Sequence, residues 1–289
     1  MSLTRFKKYL APVIESCYLI FVFFVAQLPL RDFDIWFHLK SGELFLSKGH
    51  LVFTEVFSYT AEGRSWTPFE WLFQIIVYLV SVTFGMNSLP PFIAVSVVIT
   101  HLILLRIFRY IFNLPLLLSI LLSFTFLVST YEFNTVRPHT MAYACLTGFL
   151  LLILARIVKK KKWIYYSPFL VLFWSNIHSS GFLSWAFLLA FALALLLQYV
   201  MTKKIEPIRI TKEFILLAVI NGIVTLLPPM GILDYQLLWH FFTEREFLGV
   251  FIAEWGSPTD NPFGFAVFSG ILLFITLLYI FTLDRKSVV

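Results

Sequence analysis

A small set of polar side chains in this sequence has types and spacings suited to chemistry, and its members lie at the ends of apolar runs. Asp32 and Asp34 open the stretch DFDIWFHLKSGELF, with His38 and Ser41 four and seven residues beyond Asp34. On a helix, that spacing places Asp34, His38 and Ser41 on one face and turns Ile35, Leu39 and Leu46 towards another. Two carboxylates gathered with an imidazole can accept a proton from a hydroxyl, or share a hard cation with a phosphate. The alternative is a solvated helix end, and spacing alone does not separate the two.

Three further groups follow. Glu70 lies in SWTPFEW, where Thr67, Pro68 and Glu70 also have the pattern of a capping box with proline at the first helical position. Glu132, Arg137 and His139 fall within YEFNTVRPH. An arginine there can grip a phosphate through paired hydrogen bonds, or it can pair with Glu132 or a lipid headgroup. Asn176 and His178, in FWSNIHSSG, can touch a ligand or, with Ser179, Ser180 and Gly181, simply pack helices together. Glu254 in AEWGSP is a weaker candidate, His101 reads as a buried packing or hydrogen-bonded residue, and Glu15 reads as an acid reaching the nearby aqueous face.

The six histidines show neither i, i+4 pairing nor a Cys/His spacing, which argues against zinc. Mg2+ or Mn2+ bridging the Asp32/Asp34 pair to a phosphate stays open. Cys17 and Cys145 both sit in apolar runs, without disulfide or metal-site spacing.

The elements that must position these groups are apolar. The chain has 289 residues, is 60% hydrophobic and 13% charged, and has a mean hydropathy of +0.87, values that suit neither a soluble globular domain nor a disordered chain. Runs near twenty residues recur from end to end, each long enough to cross about 30 Å of hydrocarbon as a helix. The expected class is an all-α polytopic membrane protein forming a single domain. The first run is too long for a signal-peptide core and lacks a small-residue cleavage site, so it is expected to be kept.

Charge sets the expected topology. Sixteen of the 22 basic residues cluster near residues 5–8, 106–109, 156–162, 203–212 and 285–286. One arrangement puts all of them on the cytoplasmic side: eight spans near 10–30, 89–107, 114–129, 140–158, 163–179, 181–200, 214–229 and 264–283, with both termini inside. The net charge of +6 is then a topology signal and not a sign of nucleic acid. Residues 31–88 become a long first outer loop, and 231–262 a second one with its own acids, Asp234 among them. The apolar run 69–85 is expected to form a helix lying at or dipping into the outer interface and leading into the second span. A loop of about forty residues between spans is usually functional or disordered, and the aromatic content of 31–71 argues for folded structure.

Taken in order, the acidic first loop, the aromatic-rich surface helix, NTVRPH, FWSNIHSSG and AEWGSP resemble the GT-C fold glycosyltransferases, in the bacterial branch related to protein O-mannosyltransferases and the lipid A aminoarabinose transferase. The resemblance covers most of the chain. It implies a GT-C-like bundle in the inner (plasma) membrane that moves a sugar from a polyprenyl-phosphate carrier to a glycan, lipid or protein acceptor. By that resemblance Asp32 or Asp34 would be the catalytic base, Glu132 would match the acid of the family's second outer loop, and Arg137 would face the lipid phosphate. His38, Glu70, His139, Asn176 and His178 would line the substrate site. Trp36-Phe37 stands where the subgroup often has paired tryptophans, and Pro228-Pro229-Met230-Gly231 where it has an NPYG-like element. Many relatives carry further spans and a C-terminal domain, so acceptor binding is the function this shorter chain puts most in question. The competing class is a transporter, flippase or lipid-linked-sugar-binding subunit. Such carriers concentrate ionisable groups at mid-membrane and often show internal repeats, neither of which is evident here.

Overall fold

In the computed structural model, which describes residues 3–244, the ordered framework is helical. Its elements are α1 (Leu3–Val25), α2 (Asp34–Lys48), α3 (Trp71–Phe84), α4 (Leu89–Arg106), α5 (Leu116–Thr130), α6 (Pro138–Lys159), α7 (Ser167–Ile177), α8 (Leu183–Thr202), α9 (Ile205–Val224) and α10 (Ile232–Thr243). Local chemistry marks many of the boundaries. Pro138 starts α6, and prolines sit in the first two positions of α4 and α7, where a missing N–H leaves no bond unmade. Gly49, at a φ of 69°, closes α2 by returning its N–H to the Phe45 carbonyl.

Four helical stretches are long and apolar enough to cross a membrane: Met86–Ile111, Leu116–Phe133, Pro138–Lys159 and Ser179–Thr202. The apolar parts of α1 (Tyr9–Val25) and α3 are shorter. Eight spans were expected, and the differences have local causes. The run at 163–179 yields an α-helix of only 11 residues, α7, entered through a 3-10 turn at Trp163–Tyr166. The run at 214–229 is the second half of α9, whose first half carries Glu206, Arg209, Lys212 and Glu213. The helix expected at 10–30 ends at Val25, four residues before Pro29. The segment 264–283 and Glu254 lie outside the described residues.

The two ends of the bundle differ chemically. At one end Glu15 of α1 is buried and held by Arg106 at 2.9 Å and Arg109 at 2.7 Å, so it does not reach into solvent as expected. Arg156 of α6 pairs with Glu213 of α9 at 2.6 Å, Lys160 pairs with Glu206 at 3.0 Å, and Tyr110 stacks on Trp163. The opposite end collects the chain after α1, the start of α3, the turn before α6, the end of α7, and α10. Between the ends, α6 to α9 pack around Phe149, Trp174 and Phe214, and α1, α4 and α5 around Val22, Val97 and Leu127. His101 is fully buried and hydrogen-bonds the Tyr18 hydroxyl and Ser123, the packing role its mid-run position implied.

A separate core lies under the opposite end: Ile35 and Leu39 of α2, Phe73 and Val77 of α3, Leu89 and Ile93 of α4, with Val136 and Ile177. Here α2 and α3 cross at Gly42, where an added Cβ would meet the Gln74 carbonyl and come within 2.7 Å of the Tyr78 Cβ. Gly42→Ala is therefore expected to lower stability by about 1–3 kcal/mol by forcing the two helices apart. Gly148→Ala, whose Cβ would sit 3.6 Å from Leu170, should be close to neutral. Thermal unfolding of the two variants in the same detergent checks the contrast. Residues 53–66 form a tight hairpin-like loop, with Thr54 bridged to Ser65 and Trp66 packed among Phe37, Phe45 and Phe57, so the aromatic residues do fold this segment.

Candidate functional site

The chain turns sharply after α1, and Asp32 ends that turn by accepting the Asp34 N–H at 3.0 Å. It thereby satisfies a donor at the start of α2 that has no intrahelical partner. The same carboxylate receives both Nε and Nη2 of Arg137, from the segment just before α6. Arg137 Nη2 also lies 3.0 Å from Asp34. Burial alone would raise the Asp32 carboxyl. The Arg137 hydrogen bonds, the Asp34 N–H and the Arg137 charge outweigh it and hold the group below the usual carboxylate range. Asp34 is more open, its side chain 59% exposed.

Asp32 and Arg137 face a cavity of about 300 Å3 lined also by Arg31, Tyr131, Glu132 and Thr135, with Leu28, Pro29 and Phe33 on its apolar side. Acids from two segments some hundred residues apart in sequence thus share one concave surface. Among the described residues Arg137 pairs with the two aspartates and not with its sequence neighbour Glu132. Arg31 and Tyr131 carried no role in the sequence reading. Their adjacency to Asp32 and Glu132 was visible there, and the resemblance already implied that these two segments serve one site.

Glu70 does something the capping-box pattern did not suggest. Helix α3 begins at Trp71, Glu70 sits at the cap position, and its side chain makes no capping hydrogen bond. The carboxyl is instead 14% exposed and stands 3.8 Å from Nδ1 of the buried His38. Burial pushes Glu70 up to about 8, with Asp34 and Asp234 adding to the rise against Arg137. Burial likewise pulls His38 down to about 4, against the pull of Asp32. Near neutral pH both groups are therefore uncharged, and the 3.8 Å contact is not an ion pair. The structure also corrects the expected faces of α2. His38 and Ser41 are buried with Ile35, Leu39 and Phe45, whereas Leu46 is exposed, because α3 covers the polar stripe.

A protonated Glu70 has a consequence for stability. Its folded pKa lies above the unfolded value, so the native state binds the extra proton between about pH 4.5 and 8, and stability falls as pH rises through that window. Glu70→Gln keeps the shape and removes the titration. The variant should melt higher than the wild type at pH 8, with the gap closing at pH 5, as followed by thermal unfolding across pH.

Asp234, one of the acids of the second outer loop, proves to be buried in the first turn of α10. Its Oδ1 has no hydrogen-bond partner among the described residues, and burial pushes the carboxyl up to about 7. The next residue, Tyr235, anchors α10 through Trp185 at 3.1 Å and Thr225 at 2.6 Å, and Phe69 packs edge-on against Phe241. A loop position gave no reason to expect burial.

The remaining candidates make hydrogen bonds within the fold. Asn176 accepts the Trp71 indole N–H at 3.0 Å and so binds the end of α7 to the start of α3. His178 engages Ser180, whose hydroxyl also accepts the Trp174 indole N–H. Gly181 lies so close to Ser175 that a Cβ would overlap it, which is the close-packing alternative. His139 donates to the Phe133 carbonyl at 2.9 Å, across the turn that carries Glu132 and Arg137. None of these residues lines the 300 Å3 cavity.

Among the described residues no group of three or more His, Cys, Asp or Glu side chains is arranged to hold a metal ion. Arg137 occupies the space between Asp32 and Asp34 that a divalent cation would take, so this pair as placed does not fit one. Compared with protein-family models, curated proteins and solved structures, the chain matches none.

Proposed function

We propose that this protein is a membrane glycosyltransferase that moves a sugar from a polyprenyl-phosphate carrier to an acceptor hydroxyl, in a GT-C-like bundle of about eight spans set in the inner (plasma) membrane. The observation that carries this reading is the meeting of Arg31, Asp32, Glu132 and Arg137 around one cavity, with Asp34 tied to Arg137 at its edge, at the end of the bundle opposite the basic clusters. Cytoplasmic loops are the ones enriched in Lys and Arg, so the cavity would face the outer side and the N-terminus the cytoplasm. A second, wholly apolar cavity of about 470 Å3 lies between α1 and α4, lined by Phe23, Phe24, Val95 and Ile99, among others. It offers an isoprenoid chain an apolar groove along α1, the helix that leads into the polar site.

The chemistry balances without a covalent intermediate. An acceptor oxygen attacks the anomeric carbon while a carboxylate within hydrogen-bond reach removes its proton. The bond from that carbon to the carrier's phosphate oxygen breaks, and its electron pair leaves with the phosphate. Asp34 suits the base role better than Asp32, because Arg137 holds Asp32 well below the usual range and weakens it as a proton acceptor. Arg31 and Arg137 offer fixed positive charge to the departing phosphate. Backside attack inverts the anomeric centre.

The test is turnover by the whole chain in phospholipid vesicles, supplied with a panel of polyprenyl-phosphate hexoses and pentoses and an envelope fraction as acceptor. Release of free polyprenyl phosphate with sugar transfer supports the proposal. Movement of intact donor between leaflets would instead indicate a flippase. Tight binding of donor without cleavage would indicate a sugar-binding subunit.

A further inference from the structure

The basic end of the bundle holds a cavity of its own. It measures about 500 Å3 and is lined by Arg156, Lys160, Lys162, Arg209 and Lys212, with Tyr165, Leu216 and a single carboxylate, Glu213. That carboxylate is already committed: Arg156, itself buried, grips it through Nε and Nη2. Lys160 has a partner in Glu206. Lys162, Arg209 and Lys212 are exposed and form no ion pair with any carboxylate among the described residues. Positive charges needed only to set topology would be expected to spread over the aqueous surface. Here the turn after α6 and the first half of α9 aim three unpaired cations into one hollow, over a floor made rigid by the Arg156–Glu213 pair. The hollow opens beside apolar surface: Leu216 lines it, and Tyr166, Phe169 and Ile205 nearby in sequence are exposed.

We infer that this cavity binds the phosphate headgroup of an anionic phospholipid, with its acyl chains lying along the exposed apolar faces of α7 and α9. Phosphate is the chemistry that suits it. Lys offers a compact charge and Arg a planar fork, and both bind phosphate strongly where surrounding carboxylates are already paired. Basic hollows between helices at the cytoplasmic boundary are where anionic headgroups are held. The inference depends on the chain being a membrane protein with this end at a lipid surface. It does not depend on sugar transfer.

The experiment measures binding of phosphatidylglycerol, cardiolipin and phosphatidylcholine to the purified full chain in detergent by native mass spectrometry. Arg209→Gln/Lys212→Gln is compared with Lys203→Gln/Lys204→Gln, which removes two exposed charges at the same end but outside the cavity. With about fivefold in affinity per lost cation near a headgroup as an upper guide, the cavity variant should bind the two anionic lipids roughly 10- to 30-fold more weakly. The control variant should bind them as the wild type does, and phosphatidylcholine should not distinguish the three proteins. Equal weakening in both variants, or none in the cavity variant, overturns the inference. So does complete displacement of the lipid by millimolar inorganic phosphate, which would make this a site for a free anion. A variant with a changed melting temperature is replaced by Lys162→Gln, on the opposite wall, judged by the same criteria.

Discussion

Alanine at Arg137 is expected to weaken the fold by about 3 kcal/mol and to remove sugar transfer together with it. The guanidinium is 23% exposed and Asp32 is 14% exposed, so water only partly replaces either partner when the other is deleted. Removing one member of such a pair leaves an uncompensated, largely buried charge, and losses of about 3–5 kcal/mol are usual for fully buried pairs. The change also loosens the turn before α6, because Arg137 is what joins it to the start of α2. The pH dependence gives an independent signature. Asp32's folded pKa lies below its unfolded value, so its contribution is full above the unfolded pKa and is lost as pH falls through the folded one. The melting-temperature gap between wild type and Arg137→Ala should therefore hold across pH 5–8 and narrow below about pH 4. Arg137→Lys keeps a charge but not the fork, and should fall between the two. A gap that does not change down to pH 3 would mean that the pair contributes little.

Asp34→Asn should do the opposite: remove activity and spare the fold. Its side chain is 59% exposed, and it shares Arg137 with Asp32, so neutralising it leaves Arg137 paired. A surface change of this kind usually shifts stability by no more than about 0.5 kcal/mol. On the proposed mechanism the variant has lost its base, and transfer should drop about 10²–10⁴-fold. Release of polyprenyl phosphate from a donor that the variant still binds is the measurement. Wild-type turnover in Asp34→Asn would take this residue out of the chemistry. Asp32→Asn is the needed comparison. It should lose stability as well as activity, since it removes the charge that Arg137 grips, while the amide oxygen can still accept the Asp34 N–H.

Several features could be read along the chain because their causes are local. Apolar runs form helices wherever the backbone must satisfy its own hydrogen bonds, and prolines mark where α4, α6 and α7 begin. Clustered lysines and arginines predicted that residues 5–8, 106–109 and 156–162 share a side, and the pairing of Glu15 with Arg106 and Arg109 at the same end as the Arg156–Glu213 pair fits that placement. The run at 69–85 was separated from the crossing helices by the same charge argument; α3 is shorter than the four long helices, but so is the apolar part of α1, which was expected to cross.

Other features had no local cause. Glu70 sits in a sequence that reads as a helix cap, yet the packing of α2 on α3 at Gly42 carries it inward beside His38. Asp234 is an ordinary loop acid until α10 is pinned through Tyr235. Sequence alone determined which residue types stand at which helix ends, because periodicity and charge act over a few residues. Tertiary structure alone decided that Asp32 and Asp34 share one arginine and that Glu70 and Asp234 are buried near them. Partner and burial depend on segments up to about two hundred residues apart in the chain, and the ionisation of a carboxyl follows what surrounds it in space.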